Sequence, residues 1–75
     1  MKYTFEFVYE DGSTIMAKHI ENVTVRDSDG SREITGQEIL KAKFPISSVL
    51  YLRGSEENHT VFYKNLRAIQ ITLEK

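Results

Sequence analysis

The chain contains no cysteine in its 75 residues. This absence excludes disulfide bonds and thiolate metal sites. Small secreted domains commonly depend on disulfides, so a chain without them favours a reducing, intracellular setting. We therefore predict a cytoplasmic protein that forms one globular domain, residues 1–75, because a second domain would be too short to bury a core of its own.

Long apolar runs and a strong charge of one sign are also lacking. No apolar stretch approaches the length that crosses a bilayer, and residues 1–6 lack the apolar region of a secretion signal. The formal net charge is −1, which argues against broad electrostatic attraction to nucleic acid or anionic lipid. The sequence thus predicts no membrane partner, and it favours a protein partner over nucleic acid.

Patterns that carry catalytic or cofactor chemistry are missing too. The sequence has no phosphate-binding glycine loop, no dinucleotide-binding glycine pattern and no nucleophile-elbow serine. The only imidazoles, His19 and His59, have no carboxylates at metal-ligand spacing. Residues 27–30 match part of a calcium loop, but Val25 and Gly36 occupy its flanking ligand positions, so we predict a plain turn. We expect no catalytic residue, no metal, no cofactor and no small-molecule substrate.

An aromatic strand opens the chain. Four rings occupy every second position: Tyr3, Phe5, Phe7 and Tyr9. This alternation places all four rings on one face of a β-strand. Asp11-Gly12 follows and predicts a hairpin with a two-residue loop, because glycine accepts the positive φ of the turn. The resulting register predicts a core face with Met16 and Ile20, and an outer face with Ala17 and His19.

The apolar pattern changes parity after Ile20. The next apolar positions, Val23 and Val25, are odd-numbered. A bend or bulge near Glu21 and Asn22 would produce such a change, because a bulge inserts one extra residue into a strand. We therefore predict a bulge at this point and a short third strand after it.

One short helix is predicted in the middle of the chain. Residues 35–38 fit a capping box, in which threonine and glutamate side chains bond reciprocally to backbone amides. Pro45 disfavours helix at the residue before it. These signals predict a helix near residues 36–44, with Leu40 and Phe44 on one face.

A second hairpin is predicted in the C-terminal half. Residues 48–53 and 59–64 have strand character, and a five-residue loop, residues 54–58, separates them. This loop length pairs Leu50 with Phe62 and puts both on the core face. The other face then contains Tyr51, Arg53, His59, Val61 and Tyr63.

A last strand follows, in which Ile69, Ile71 and Leu73 alternate with Ala68 and more polar residues. Taken together, the elements predict an α+β fold: an antiparallel sheet of about five strands, containing two β-hairpins, with the helix packed on one face. A small all-β barrel stays open as the alternative, with only a turn of helix near residues 37–44.

The outer face of the second hairpin supplies the candidate binding residues, which are Tyr51, Arg53, His59, Tyr63 and, as an extension, Arg67. Tyrosine and arginine are enriched at binding hot spots. We therefore predict a non-enzymatic protein-binding or accessory module, such as a regulator, an inhibitor or a small subunit of the phage or mobile-element type. It would bind a protein or self-associate through this face or a strand edge. The alternatives are a weak single-stranded nucleic-acid binder and a small enzyme subunit.

Overall fold

The computed structural model describes residues 1–45 and 48–75. The elements follow in the order β1 (Tyr3–Tyr9), β2 (Thr14–Asp27), β3 (Gly30–Thr35), α1 (Glu38–Lys41), β4 (Val49–Gly54), β5 (Asn58–Phe62) and β6 (Leu66–Leu73). All strand pairs are antiparallel. The predicted antiparallel sheet with two hairpins is confirmed, but it has six strands in the described residues, and the helix is only one turn long.

Strand β2 organises the sheet because it is long enough to pair with three other strands. Its first half pairs with β1, and its second half pairs with β3 along one edge and with β4 along the other. The strand order is β5-β4-β2-β1-β6, with β3 beside β2. The short third strand predicted after the bulge is the second half of β2. Strand β3 was not predicted, because its residues Gly30–Thr35 are mostly polar and exposed.

Two irregularities bend β2. The pairing with β4 shifts between Ile20 and Asn22, which confirms the bulge predicted there. The pairing with β1 shifts as well, and His19 within that shift has a φ of 60°. Each extra residue reverses the parity of the strand. Ala17, Ile20 and Val23 are therefore all buried, although their spacing does not follow strict alternation.

The first hairpin has a three-residue loop rather than the predicted two-residue loop. The Tyr9 amide donates to the Ser13 carbonyl over 2.9 Å, and the Gly12 amide donates back to the Tyr9 carbonyl over 3.0 Å. Gly12 has a φ of 89°, which suits a type I turn followed by a glycine bulge. The register shifts by one residue, so the predicted faces were wrong: Ala17 is fully buried, and Met16 is 46% exposed.

The second hairpin is also shifted by one residue. Leu50 pairs with Val61 rather than with Phe62, because the loop is one residue shorter than predicted. A shift of one residue moves every side chain of a strand to the opposite face. Val61 is accordingly 3% exposed and belongs to the core, whereas Phe62 is 64% exposed. The prediction that placed Phe62 in the core and Val61 outside was wrong.

One apolar cluster forms the core. Its buried members are Tyr3, Phe5, Phe7, Ala17, Ile20, Val23, Val25, Ile34, Ile39, Leu50, Leu52 and Val61. Phe5 and Phe7 stack with 5.8 Å between ring centroids. They pair across the ladder with Ile71 and Ile69, so the N-terminal rings pack beside the last strand.

The sheet is open. Strands β5 and β6 stand at the two ends of the strand order and do not pair with each other in residues 1–45 and 48–75. A closed barrel requires every strand to have two neighbours. The alternative of a closed barrel is therefore wrong. The single turn of helix that accompanied this alternative agrees with the structure.

Helix α1 covers Glu38–Lys41 only, in place of the predicted residues 36–44. Gln37 stands at the N-cap position, and no side chain caps the helix, so the predicted capping box does not form. Ile39 is buried, whereas Leu40 is exposed, so a single apolar residue anchors the turn to the core. So short a helix depends on such docking. No helix in the described residues has the length and apolar character needed to cross a membrane.

Candidate interaction surface

The outer side of the sheet half formed by β3, β2, β4 and β5 presents two aromatic and two cationic side chains, together with the exposed carboxylate of Glu33 on β3. Its cross-strand register places Arg26 beside Val49, and Val49 beside Phe62. Directly opposite residues of a ladder project from the same face. Tyr51 and Arg53 project from this face as well, because they follow Val49 at intervals of two. We call the group Arg26, Tyr51, Arg53 and Phe62 the aromatic face.

The two rings of the aromatic face are open to solvent. Tyr51 is 38% exposed and Phe62 is 64% exposed. Tyr51 pairs with Thr60, two residues from Phe62 on the same strand, so the two rings are diagonal neighbours. Such neighbours lie about 7–8 Å apart between α-carbons, within reach of aromatic side chains. The exposed guanidinium groups of Arg26 and Arg53 are on opposite sides of this pair.

A cleft of about 610 Å³ adjoins the aromatic face at Phe62. Val49, Phe62 and Leu66 contribute apolar surface to its wall, and Glu10 and Lys64 stand at its border. Its residues come from β4, from the end of β5 and from the beginning of β6, so the cleft lies where the two halves of the open sheet separate. An apolar wall with charged groups around it suits an apolar side chain of a partner.

A second cluster, which we call the Glu74 clasp, consists of Thr4, His19 and Glu74. Glu74 Oε2 accepts hydrogen bonds from Thr4 Oγ1 and from the His19 backbone amide, each over 2.7 Å. The other carboxylate oxygen lies 2.7 Å from His19 Nδ1. Glu56 approaches the far side of the imidazole, with its Oε2 3.4 Å from His19 Nε2. One carboxylate thereby joins the last residues of the chain to β1 and to the bulge in β2.

The environment of Glu74 lowers the pKa of its carboxyl group to about 2. The largest cause is the hydrogen bond from the Thr4 hydroxyl, followed by the bond from the His19 amide. The ionised carboxylate only accepts hydrogen bonds, so the imidazole Nδ1 must carry the hydrogen between them. These contacts hold His19 in its positive-φ conformation, which indicates a structural role. Among the described residues, no group of three or more histidine or carboxylate side chains is arranged to hold a metal ion.

Comparison with known proteins identifies no relative. No family model matches the chain, and neither a curated protein nor a solved structure is significantly similar to it. The chemistry of the surface therefore has to indicate the function.

Three of the five predicted binding residues come together. Tyr51 and Arg53 lie on the outer face, as predicted, and His59 borders the same shallow depression at the end of β4 and β5. However, His59 pairs with the buried Leu52, so it belongs to the inner side of the ladder and not to the outer face. Its Nε2 lies 2.9 Å from Glu57 Oε1. The predicted common face of Tyr51, Arg53, His59 and Tyr63 was therefore wrong for His59.

Tyr63 and Arg67 lie apart from the aromatic face. Tyr63 follows the last residue of β5, and its amide donates to the Ser48 carbonyl over 3.1 Å. By alternation it shares the inner side with Val61, and it borders the cleft. Arg67 is exposed on β6, in the other half of the sheet. The expected cluster of Tyr63 with Tyr51, and of Arg67 with both, does not form.

Phe62 and Arg26 are the members of the aromatic face that sequence reasoning missed. Phe62 was assigned to the core because the second hairpin was given a loop one residue too long. A loop shorter by one residue was compatible with the same sequence and would have placed the Phe62 ring on the outer face. The sequence indicates the position of Arg26 only weakly. Arg26 follows Val25 in β2, and the face of the sheet on which it lies depends on the bulges that precede it.

Proposed function

We propose that the chain is a non-enzymatic protein-binding module that docks a partner protein on the aromatic face. The observation that carries this proposal is the exposure of the Phe62 ring beside Tyr51, with Arg26 and Arg53 on either side. Single exposed apolar residues are ordinary on protein surfaces. Two rings and two guanidinium groups at neighbouring positions of one sheet face have instead the composition of binding hot spots.

The partner surface that suits this face has apolar and acidic groups. An apolar side chain of the partner would enter the cleft beside Phe62, and carboxylates would pair with Arg26 and Arg53. Burial of apolar area contributes about 25 cal/mol per Å², so most of the affinity would come from the two rings. The arginines would mainly set orientation and the rate of encounter. An accessory role as a regulator, inhibitor or small subunit fits a module that offers one such surface.

Site-specific photo-crosslinking tests this proposal. A benzophenone amino acid replaces Phe62 in one version of the chain and Leu40, which is 50% exposed on α1, in the control version. We expect a discrete covalent adduct with one protein from position 62 and not from position 40. The adduct at 62 should disappear when Tyr51→Ser and Arg53→Ser are added. Identical adducts from both positions, or none from position 62, would contradict the proposal.

A second candidate function is the binding of single-stranded nucleic acid on the same face. The observation in its favour is the combination of two exposed rings with two arginines, because bases stack on aromatic side chains while arginine neutralises phosphate. Fluorescence anisotropy with a labelled oligothymidine at low salt is the test. Two arginine contacts predict a slope of about −1.4 for log K against log salt, at about −0.7 per contact. No binding at low salt excludes this function.

A further inference from the structure

Strand β6 has an edge without a neighbour. It pairs with β1 on one side and ends the strand order, so its other edge has no strand partner in the part of the chain that the structure describes. Half of its backbone amide and carbonyl groups therefore point away from the sheet. Residues 68–73 contain no charged residue and no proline, which are two of the usual means of protecting an edge. By contrast, the edge strand β3 carries Arg32 and Glu33.

The apolar layer of the core continues to this edge and is incompletely covered there. On the inner side of β6, Ile69 and Ile71 are only half-buried and Leu73 is 41% exposed. Their ladder partners on β1 are three rings with no exposed surface. Helix α1 also contacts β6, and its Ile39 belongs to the core cluster, so the helix approaches from the inner side and leaves the row half covered.

We propose that the occupant of this edge is a second copy of the chain, whose β6 pairs antiparallel with the first around a two-fold axis at Gln70. A strand edge is complementary to itself in an antiparallel pair, which is the condition for a two-fold dimer. An axis perpendicular to the sheet keeps both inner faces on the same side. The ladder through Gln70 pairs Ile69 with Ile71 of the second copy, and the four isoleucines then form a continuous apolar strip.

Charge and backbone conformation favour this register over the two that move the axis by one residue in either direction and also keep the inner faces together. An axis at Ile71 would place Arg67 opposite Lys75 of the second copy, and like charges directly opposite are destabilising. An axis at Ile69 would place Leu73 opposite Asn65, which precedes the strand and has a φ of 65°. The axis at Gln70 avoids both problems. It also brings the two Gln70 amides together, where each can donate to the other.

The dimer formed in this way is weak. One strand pair buries less than the roughly 800 Å² per partner of a standard interface. We therefore expect a dissociation constant on the order of 10–100 µM, well above the nanomolar values of many standard-size complexes. The continuous sheet would leave both aromatic faces free, because those lie on the other half of each chain. The inference therefore does not depend on the proposed function.

Sedimentation equilibrium over a range of concentrations tests the association. Gln70→Lys and Gln70→Glu each place like charges at the two-fold axis, so each variant alone should dimerise at least about tenfold more weakly than the unmodified chain. An equimolar mixture should restore dimers, because lysine then meets glutamate. Thr60→Lys is the control: it adds the same charge to the other terminal strand, β5, and should leave dimerisation unchanged. Monomers throughout for the unmodified chain, or unchanged dimerisation of Gln70→Lys, would overturn the proposal.

Disulfide trapping tests the register, and the lack of native cysteine makes it unambiguous. Directly opposite residues of an antiparallel pair have α-carbons about 4.5–5.5 Å apart, within the range of a disulfide. Gln70→Cys should therefore form a covalent dimer under mild oxidation. The two copies of position 72 would be about 13 Å apart along the strands, so Thr72→Cys should not. Equal trapping at both positions, or trapping at 72 alone, is incompatible with an axis at Gln70.

Discussion

Replacing Val61 by alanine should destabilise the protein more than replacing the larger Phe62 by alanine. Val61 is 3% exposed and pairs with the fully buried Leu50, whereas Phe62 is 64% exposed on the outer face. The ranking is the reverse of what side-chain size, or the register with a five-residue loop, would predict. The pair of variants therefore measures directly which side of β5 faces the core.

The size of the effect follows from the burial of the two residues. Val61→Ala removes two methyl groups from the core, at about 0.8 kcal/mol each for transfer to water. With the cavity left behind, the expected loss is about 2–3 kcal/mol. A chain of this length has a total free energy of unfolding of about 4–11 kcal/mol, at about 0.05–0.15 kcal/mol per residue. Phe62→Ala should change the free energy of unfolding by no more than about 0.5 kcal/mol, as at other surface positions.

Urea unfolding followed by circular dichroism is the assay. The midpoint should fall for Val61→Ala with an unchanged m-value, which shows that stability and not the unfolded state has changed. The melting temperature should fall by roughly 8–24 °C, at about 4–8 °C per kcal/mol for a domain of this size. A greater loss for Phe62→Ala than for Val61→Ala would refute the register. It would also show that Phe62 is buried, and the proposed function would then lose the observation that supports it.

Three further predictions concern the Glu74 clasp and its surroundings. The Glu74 carboxyl group should titrate near pH 2 in an NMR experiment, because the folded state lowers its pKa from 4.5. Its contribution to stability is therefore present above about pH 4.5 and is lost as the pH falls towards 2, and Glu74→Gln should remove this dependence. His19→Gly should be about 1–2 kcal/mol more stable than His19→Ala, because both lose the imidazole but only glycine accepts a φ of 60° without strain. Gly54→Ala should destabilise by about 1–3 kcal/mol, because its Cβ would lie 2.7 Å from the His19 carbonyl oxygen.

Specific results would contradict each of these three. A Glu74 resonance that titrates near 4.5 would show that the clasp is not formed in solution. Equal stability of the two His19 variants in urea unfolding would show that residue 19 does not adopt a positive φ in the bulge. An unchanged unfolding midpoint for Gly54→Ala would mean that the turn between β4 and β5 does not approach β2 as closely as described.

The alternation of apolar and polar residues along single strands could be predicted from the sequence, because it is a local property. Tyr3, Phe5 and Phe7 recur at period two, and a strand with that pattern has one face that can be buried, whatever strands lie beside it. The same alternation was visible at Ile69 and Ile71 in the last strand, and both lie on the inner side, opposite Phe7 and Phe5. The change of parity after Ile20 likewise indicated a bulge, since no regular strand accommodates it.

The lengths of the hairpin loops could not be predicted in this way. Asp11-Gly12 suits a two-residue loop and also the end of a three-residue loop, since both need a glycine with positive φ. The two choices differ by one residue of register, and burial of Ala17 rather than Met16 decides between them. The same ambiguity of register affected the prediction of the candidate site. Tyr51 and Arg53 were placed on the correct face, whereas Phe62 was assigned to the wrong one.

The amino-acid pattern by itself determined that this chain is sheet-dominated, that its N-terminal rings are buried and where its turns fall, because short-range sterics and period-two burial act within a few residues. Only the tertiary structure decided the registers, the addition of β3 and the short length of α1. Those outcomes depend on which side chains fill the shared core, and that competition involves residues far apart in the chain, such as Val23 and Leu52, which pair across the ladder.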